Sequence, residues 1–176
     1  MRYTLAIILL TLALATKAQK ITRLGNVSSK DSVAAGQAII CGNFVQRLGF
    51  KSGGFAQEIY IADTATKEIY AFRVKPVFKS AKENTFAYHI KPGTYALLKY
   101  QYSESKWYGA KEFHEPISKA EKSYYTFTVR PNSVVNLGNW HFDKLPASFT
   151  ETSDEFKDKL AAEFENLKNF VTVIPK

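Results

Sequence analysis

The sequence predicts a mainly β protein: an antiparallel Greek-key β-sandwich of about seven strands with one C-terminal α-helix. Three observations carry this. Short runs rich in β-branched and aromatic residues recur along the chain, turn residues such as Pro92-Gly93 and Pro131-Asn132 separate them, and no helix-length apolar period interleaves them. A parallel α/β sheet would need helices between its strands. One helical stripe appears, at the C-terminal end.

The N-terminus is read first. Arg2 precedes an apolar run of 11 residues, Leu5 to Ala15, broken only by Thr11. Spanning a bilayer takes about 20 apolar residues, so the run fits the core of a secretory signal peptide. Thr16-Lys17-Ala18 puts small residues at −3 and −1 of a cleavage point after Ala18. A retained signal anchor is the alternative reading. A lipoprotein is disfavoured because no Cys follows the apolar run. The expectation is a signal peptide over 1–18, export to the periplasm or the cell exterior, and no transmembrane segment after cleavage.

Residues 19–36 read as a polar lead-in, with turn residues at Gly25-Asn26, Ser28-Ser29 and Gly36. The sandwich domain is expected over 37–145. Gln37–Gln46 is its first strand, and Gly49–Gly54 a turn-rich gap. Glu58–Asp63 and Glu68–Val74 make a hairpin closed through Thr64-Ala65-Thr66-Lys67, and Pro76 ends its second strand. Thr85–Ile90 and Thr94–Tyr102 are expected to pair across Pro92-Gly93, as a type II turn with Gly at positive φ. Tyr124–Arg130 and Val134–Phe142 are expected to pair across Pro131-Asn132. The predicted core includes Phe86, Tyr88, Ile90, Tyr95, Leu97, Phe127, Val129 and Leu137. Residues 146–176 should supply a helix packed on the sandwich. Thr152-Ser153-Asp154-Glu155 reads as a capping box with Thr152 as the cap, and Phe156, Leu160, Phe164 and Leu167 form one helical stripe.

Composition limits function. Without residues 1–18, 158 residues remain, with 22 Lys+Arg against 16 acids. The basic residues are scattered and mostly Lys, and no nucleic-acid motif is present, so the charge reads as solubility and nucleic acid is not an expected partner. Cys41 is the only cysteine, so the chain cannot form an internal disulfide and must rely on its core. In the run Ala38-Ile39-Ile40-Cys41 it reads as a small buried hydrophobe.

The phrase Phe86-Ala87-Tyr88-His89-Ile90-Lys91-Pro92-Gly93-Thr94-Tyr95-Ala96-Leu97 resembles a hairpin of prealbumin-like sandwiches, a group that includes PEGA-type and carboxypeptidase-regulatory-like modules. Phe127 to Gly138 is similar to a second hairpin of small exported sandwiches, with Asn132 where Gly is more usual. The resemblance implies an immunoglobulin-sized Greek-key module with a binding or structural role and no shared catalytic residues.

Motifs for chemistry are scarce. His89, His114 and His141 form no zinc-ligand spacing, and Gly-x-Ser-x-Gly, the P-loop and Gly-x-Gly-x-x-Gly are absent. The expectation is therefore no enzyme, no metal and no cofactor. The stretch that stands out is Lys106-Trp107-Tyr108-Gly109-Ala110-Lys111-Glu112-Phe113-His114, in what reads as a loop over 103–123. Trp107, Tyr108, Phe113, His114, Lys106 and Lys111 are its candidate binding residues. The expected function is a secreted, non-catalytic structural or protein-interaction module; the alternative is carbohydrate binding through these aromatics. Against both stands a reading in which Trp107 or Phe113 folds back to plug the end of the sandwich.

Overall fold

The computed structural model describes residues 20–47, 54–78, 81–120, 123–144, 146–167 and 170–176. The expected signal peptide, its cleavage point and most of the Gly49–Gly54 gap lie outside the described residues. The architecture is a mainly antiparallel β-sandwich with a single helix among the described residues.

One sheet, sheet A, holds six strands. These are β1 (Ile21–Arg23), β3 (Gln57–Asp63), β4 (Ile69–Lys75), β6 (Gly93–Lys106), β7 (Gly109–Pro116) and β10 (Thr126–Val129). Their order is β1-β4-β3-β6-β10, with β7 on the C-terminal half of β6. Sheet B holds β2 (Ala38–Gln46), β5 (Glu83–Ile90), β11 (Ser133–Phe142), β12 (Ser148–Thr150) and β13 (Val171–Thr172), in the order β12-β11-β2-β5 with β13 also on β11. A separate pair joins β8 (Ser118–Ala120) to β9 (Ser123–Tyr124). The helix, α1, spans Asp154–Glu163. The sheets are not wholly antiparallel: β1 runs parallel to β4, and β11 parallel to both β2 and β13.

The β3–β4 hairpin forms as its sequence predicts. Asp63 Oδ1 accepts from the N–H groups of Ala65 (2.8 Å) and Thr66 (3.1 Å), and Lys67 adopts φ +62. The other two expected hairpins do not form. β5 lies in sheet B against β2, and β6 lies in sheet A, so Pro92-Gly93 carries the chain from one sheet to the other. Gly93 is outside the positive-φ set, which removes the type II turn. A Cβ there would lie 3.0 Å from Asp63 Oδ2, so close approach explains the glycine. Tyr95 braces this corner by donating to the Lys91 carbonyl (2.7 Å). Pro131-Asn132 likewise crosses from β10 in sheet A to β11 in sheet B. Asn132 takes φ +55, which Asn tolerates, and its Oδ1 accepts from the Gly36 N–H at 2.8 Å. Glycine could not make that side-chain bond.

The main core lies between the sheets. Trp140 is fully buried, contacts Phe72, Phe86 and Phe149 edge-on at ring separations of 5.3–6.0 Å, and donates its indole N–H to the Leu137 carbonyl. All eight residues predicted for the core are buried. Two long strands keep their inward faces by changing phase once. In β6, Tyr95 and Leu97 point inward, then Tyr100 and Tyr102; the register shift falls between Leu97 and Lys99. In β11, Val135 and Leu137 point inward, then Trp140 and Phe142, across a shift between Asn136 and Asn139. One extra residue reverses every later side chain, which is the effect of a β-bulge. Gly138 makes the second bulge, with φ +82 and its N–H donated to Asn136 Oδ1 (3.0 Å).

A second apolar cluster covers part of sheet B's outer face. Ile39, Cys41, Ala87 and Val134 pack under Leu160, Phe164 and Leu167, with Phe156 partly buried beside them. The helical stripe thus packs on the sandwich. The cap is one residue later than expected: Ser153 accepts from the Phe156 N–H, whereas Thr152 is buried and accepts from Asn136 Nδ2 at 2.6 Å. The terminal segments do more than their sequence reading assigned. Residues 19–36 supply β1 and Val27 of the second cluster, and residues 146–176 supply β12 and β13 as well as α1.

Candidate functional site

Over its described residues, the segment 103–123 is mostly strand rather than loop. β6 runs on to Lys106 and β7 returns from Gly109, so the turn consists of Trp107 and Tyr108 alone. Both keep negative φ, and Gly109 at φ +126 completes the reversal. The last β6 residue paired with β3 is Gln101, so among the described residues the strand pairing beyond it is between β6 and β7 alone.

The six candidate residues divide among three surfaces. Trp107 (96% exposed) and Tyr108 (61%) stand at the tip, their rings 5.4 Å apart and nearly perpendicular. Phe113 is half-buried and stacks on Tyr102 (5.1 Å, 12°), which stacks on Tyr100 (4.9 Å). Lys111 and Lys106 lie over the Phe113 ring at 5.0 and 5.9 Å. Phe113 is therefore the residue that folds back. Its face of the hairpin continues the core, and both lysines are engaged with it. His114 lies on the opposite face, 2.7 Å from Glu112 and 3.3 Å from Lys99 Nζ. Of the six candidates, Trp107 and Tyr108 are the ones that remain as a free aromatic surface.

The base of the hairpin is braced by polar contacts. Tyr102 donates to Glu115 Oε1 (2.6 Å), and Arg47 reaches both groups at 3.4–3.5 Å. Burial, then the Glu115 hydrogen bond, pushes the Tyr102 hydroxyl up to about 12. Beneath it, Tyr100 donates to Gln57 Oε1, and Gln57 donates to Gln46 Oε1 (2.7 Å). Lys75 is fully buried and donates to the Phe55 carbonyl at 2.7 Å; its burial lowers the ammonium pKa. Sequence reading missed this cluster because its members come from five strands.

It also missed a groove of about 520 Å³ on the outer face of sheet B, beside the first turn of α1. Along β2, the outward residues change from Ile39 and Cys41, which the helix covers, to Asn43 and Val45, which line the groove. The β11 bulge turns Asn139 and His141 onto the same face. Asn43 is buried, and its amide lies 3.1 Å from Asn139 Oδ1 and 3.3 Å from Glu83 Oε2. The Asn139 amide donates to the Glu151 carbonyl (2.9 Å). The polar alternation in β2 is visible in the sequence, but not the partner strand that faces it.

His141 Nε2 lies 2.9 Å from Thr150 Oγ1, and its Nδ1 lies 3.8 Å from Asp143 Oδ1. The second distance is beyond a hydrogen bond, so this row lacks the orienting link that an activated nucleophile needs. Burial pushes the Cys41 thiol up to about 12, which makes it unreactive. Among the described residues no three His, Cys, Asp or Glu side chains converge to hold a metal. No helix among them is long and apolar enough to cross a membrane.

No known family model matches the chain, and no curated protein matches it. A leucine-rich repeat protein from Bacteroides thetaiotaomicron is a similar solved structure, at 14% identity and a TM-score of 0.40. The match covers 73% of this chain and spans 16% of that protein.

Proposed function

We propose that this chain is an exported, non-catalytic interaction module that presents the β6–β7 tip to a partner protein. The observation that carries this is the contrast between its two tryptophans: Trp140 is fully buried, whereas Trp107 is 96% exposed at the end of a braced arm. Trp and Tyr supply a large share of binding energy at protein interfaces, where they fill pockets on the partner. The tip is convex, which suits insertion into a concave surface. Its perpendicular rings offer no flat platform for a sugar, and this favours a protein partner over a glycan at this place. Export rests on Arg2, the apolar run and Thr16-Lys17-Ala18.

A photo-crosslinking residue at position 108 tests the reading in the producing cell. A discrete protein adduct that disappears in Trp107→Ala supports it. Adducts unchanged by Trp107→Ala, or none at all, overturn it.

A further inference from the structure

We propose that the groove between sheet B and the first turn of α1 is a second binding site, for a neutral, hydroxyl-rich ligand of the saccharide class. The groove exists because the helix covers only part of the sheet's outer face. Leu160, Phe164 and Leu167 pack over the end of β2 that carries Ile39 and Cys41. Farther along, the outward side chains turn polar and stay open.

The floor is preorganised. Asn43 is only 6% exposed, and its amide is held between Asn139 and Glu83, while the Asn139 amide is held by the Glu151 carbonyl. Those bonds use both Asn43 amide hydrogens and one of Asn139's, which leaves the Asn43 amide oxygen as an acceptor and the second Asn139 N–H as a donor for sugar hydroxyls. Phe156 gives the wall an apolar surface for the C–H face of a sugar ring. The lining carries charges of both signs, the carboxylates of Glu83 and Glu155 and the ammonium of Lys159, with His141 among them. An anion would meet the two carboxylates, and a bare cation would meet Lys159. The helix N-terminus is not free for an anion either, because Ser153 caps it and Asp154 and Glu155 sit in its first turn. A neutral polyol avoids both penalties.

The test is NMR titration of the whole protein with soluble neutral oligosaccharides (gluco-, manno- and xylo-series), and with oligogalacturonate as the acidic counterpart. Supporting outcomes are saturable shifts at the Asn43 and Asn139 side-chain amides with a neutral series, and at least tenfold weaker binding in Asn139→Ala. Phe156→Leu keeps the helix contact and removes the ring; it should weaken binding several-fold without lowering the melting temperature appreciably. Trp107→Ala should bind sugar as the parent does, which separates this site from the hairpin tip. Binding of the acidic series alone, shifts confined to the tip, or no shift with any series would overturn the proposal.

Discussion

The hairpin tip and the sheet-B groove are opposite solutions to presenting polar and aromatic groups. The tip is local: two adjacent residues, Trp107 and Tyr108, exposed because a two-residue turn leaves them nothing to pack on. The groove is assembled from β2, β5, β11 and α1, and it depends on a bulge and on where a helix stops. A local surface tolerates substitution, because little else rests on it. An assembled surface inherits the stability of the elements that build it.

Four perturbations separate these cases. The largest effect is expected for Trp140→Ala, which removes the residue behind the groove's strand and should cost about 3–5 kcal/mol in chemical denaturation. Trp107→Ala should cost less than about 0.5 kcal/mol, as at an exposed site. Similar losses for the two tryptophans would erase the distinction between tip and scaffold.

Gly138→Ala sharpens the comparison from the other side. Its Cβ would lie 2.2 Å from the Thr150 carbonyl oxygen, at φ +82. Relieving that contact should cost about 1–3 kcal/mol and displace β12 or the bulge. The groove should lose its Asn43–Asn139 contact, read as altered side-chain amide shifts, while the signals of Trp107 and Tyr108 stay unchanged. Signals moving equally at both places would show that the hairpin is coupled to β11.

The smallest effect concerns Cys41, one step along β2 from the groove and beneath α1. With its thiol pushed up to about 12 by burial, it holds far less thiolate than an exposed cysteine does near neutral pH. A thiol reagent should leave it unlabelled in the folded protein and label it fully in denaturant. Rapid labelling of the native protein would mean that the helix leaves the sheet readily, and would weaken the case for a fixed groove.

Much of the fold is legible in the residues themselves. The β3–β4 hairpin follows from Asp63 and the turn residues after it, and the inward residues of β5 and β10 follow from strict alternation. The stripe Phe156, Leu160, Phe164 and Leu167 marks the helix and the face it buries. The pairings across Pro92-Gly93 and Pro131-Asn132 were misread because a turn dipeptide reports a change of direction, not the sheet in which the next strand pairs. The β6–β7 arm was read as a loop because Glu104, Lys106 and Lys111 interrupt its aromatic alternation. At an exposed hairpin only a short inner face needs to be apolar.

By itself, then, the sequence determined the strand-rich class, the C-terminal helix and the alternation that fills the core, since each depends on residues within a few positions of one another. It also placed an aromatic pair at 107–108. Tertiary structure alone decided that Phe113 folds back while Trp107 stays out, because stacking on Tyr102 requires the β6–β7 register. It likewise decided that Asn139 and His141 face outward. That orientation comes from one inserted residue at Gly138, which local periodicity cannot announce, and from a strand almost a hundred residues away that brings Asn43 beside them.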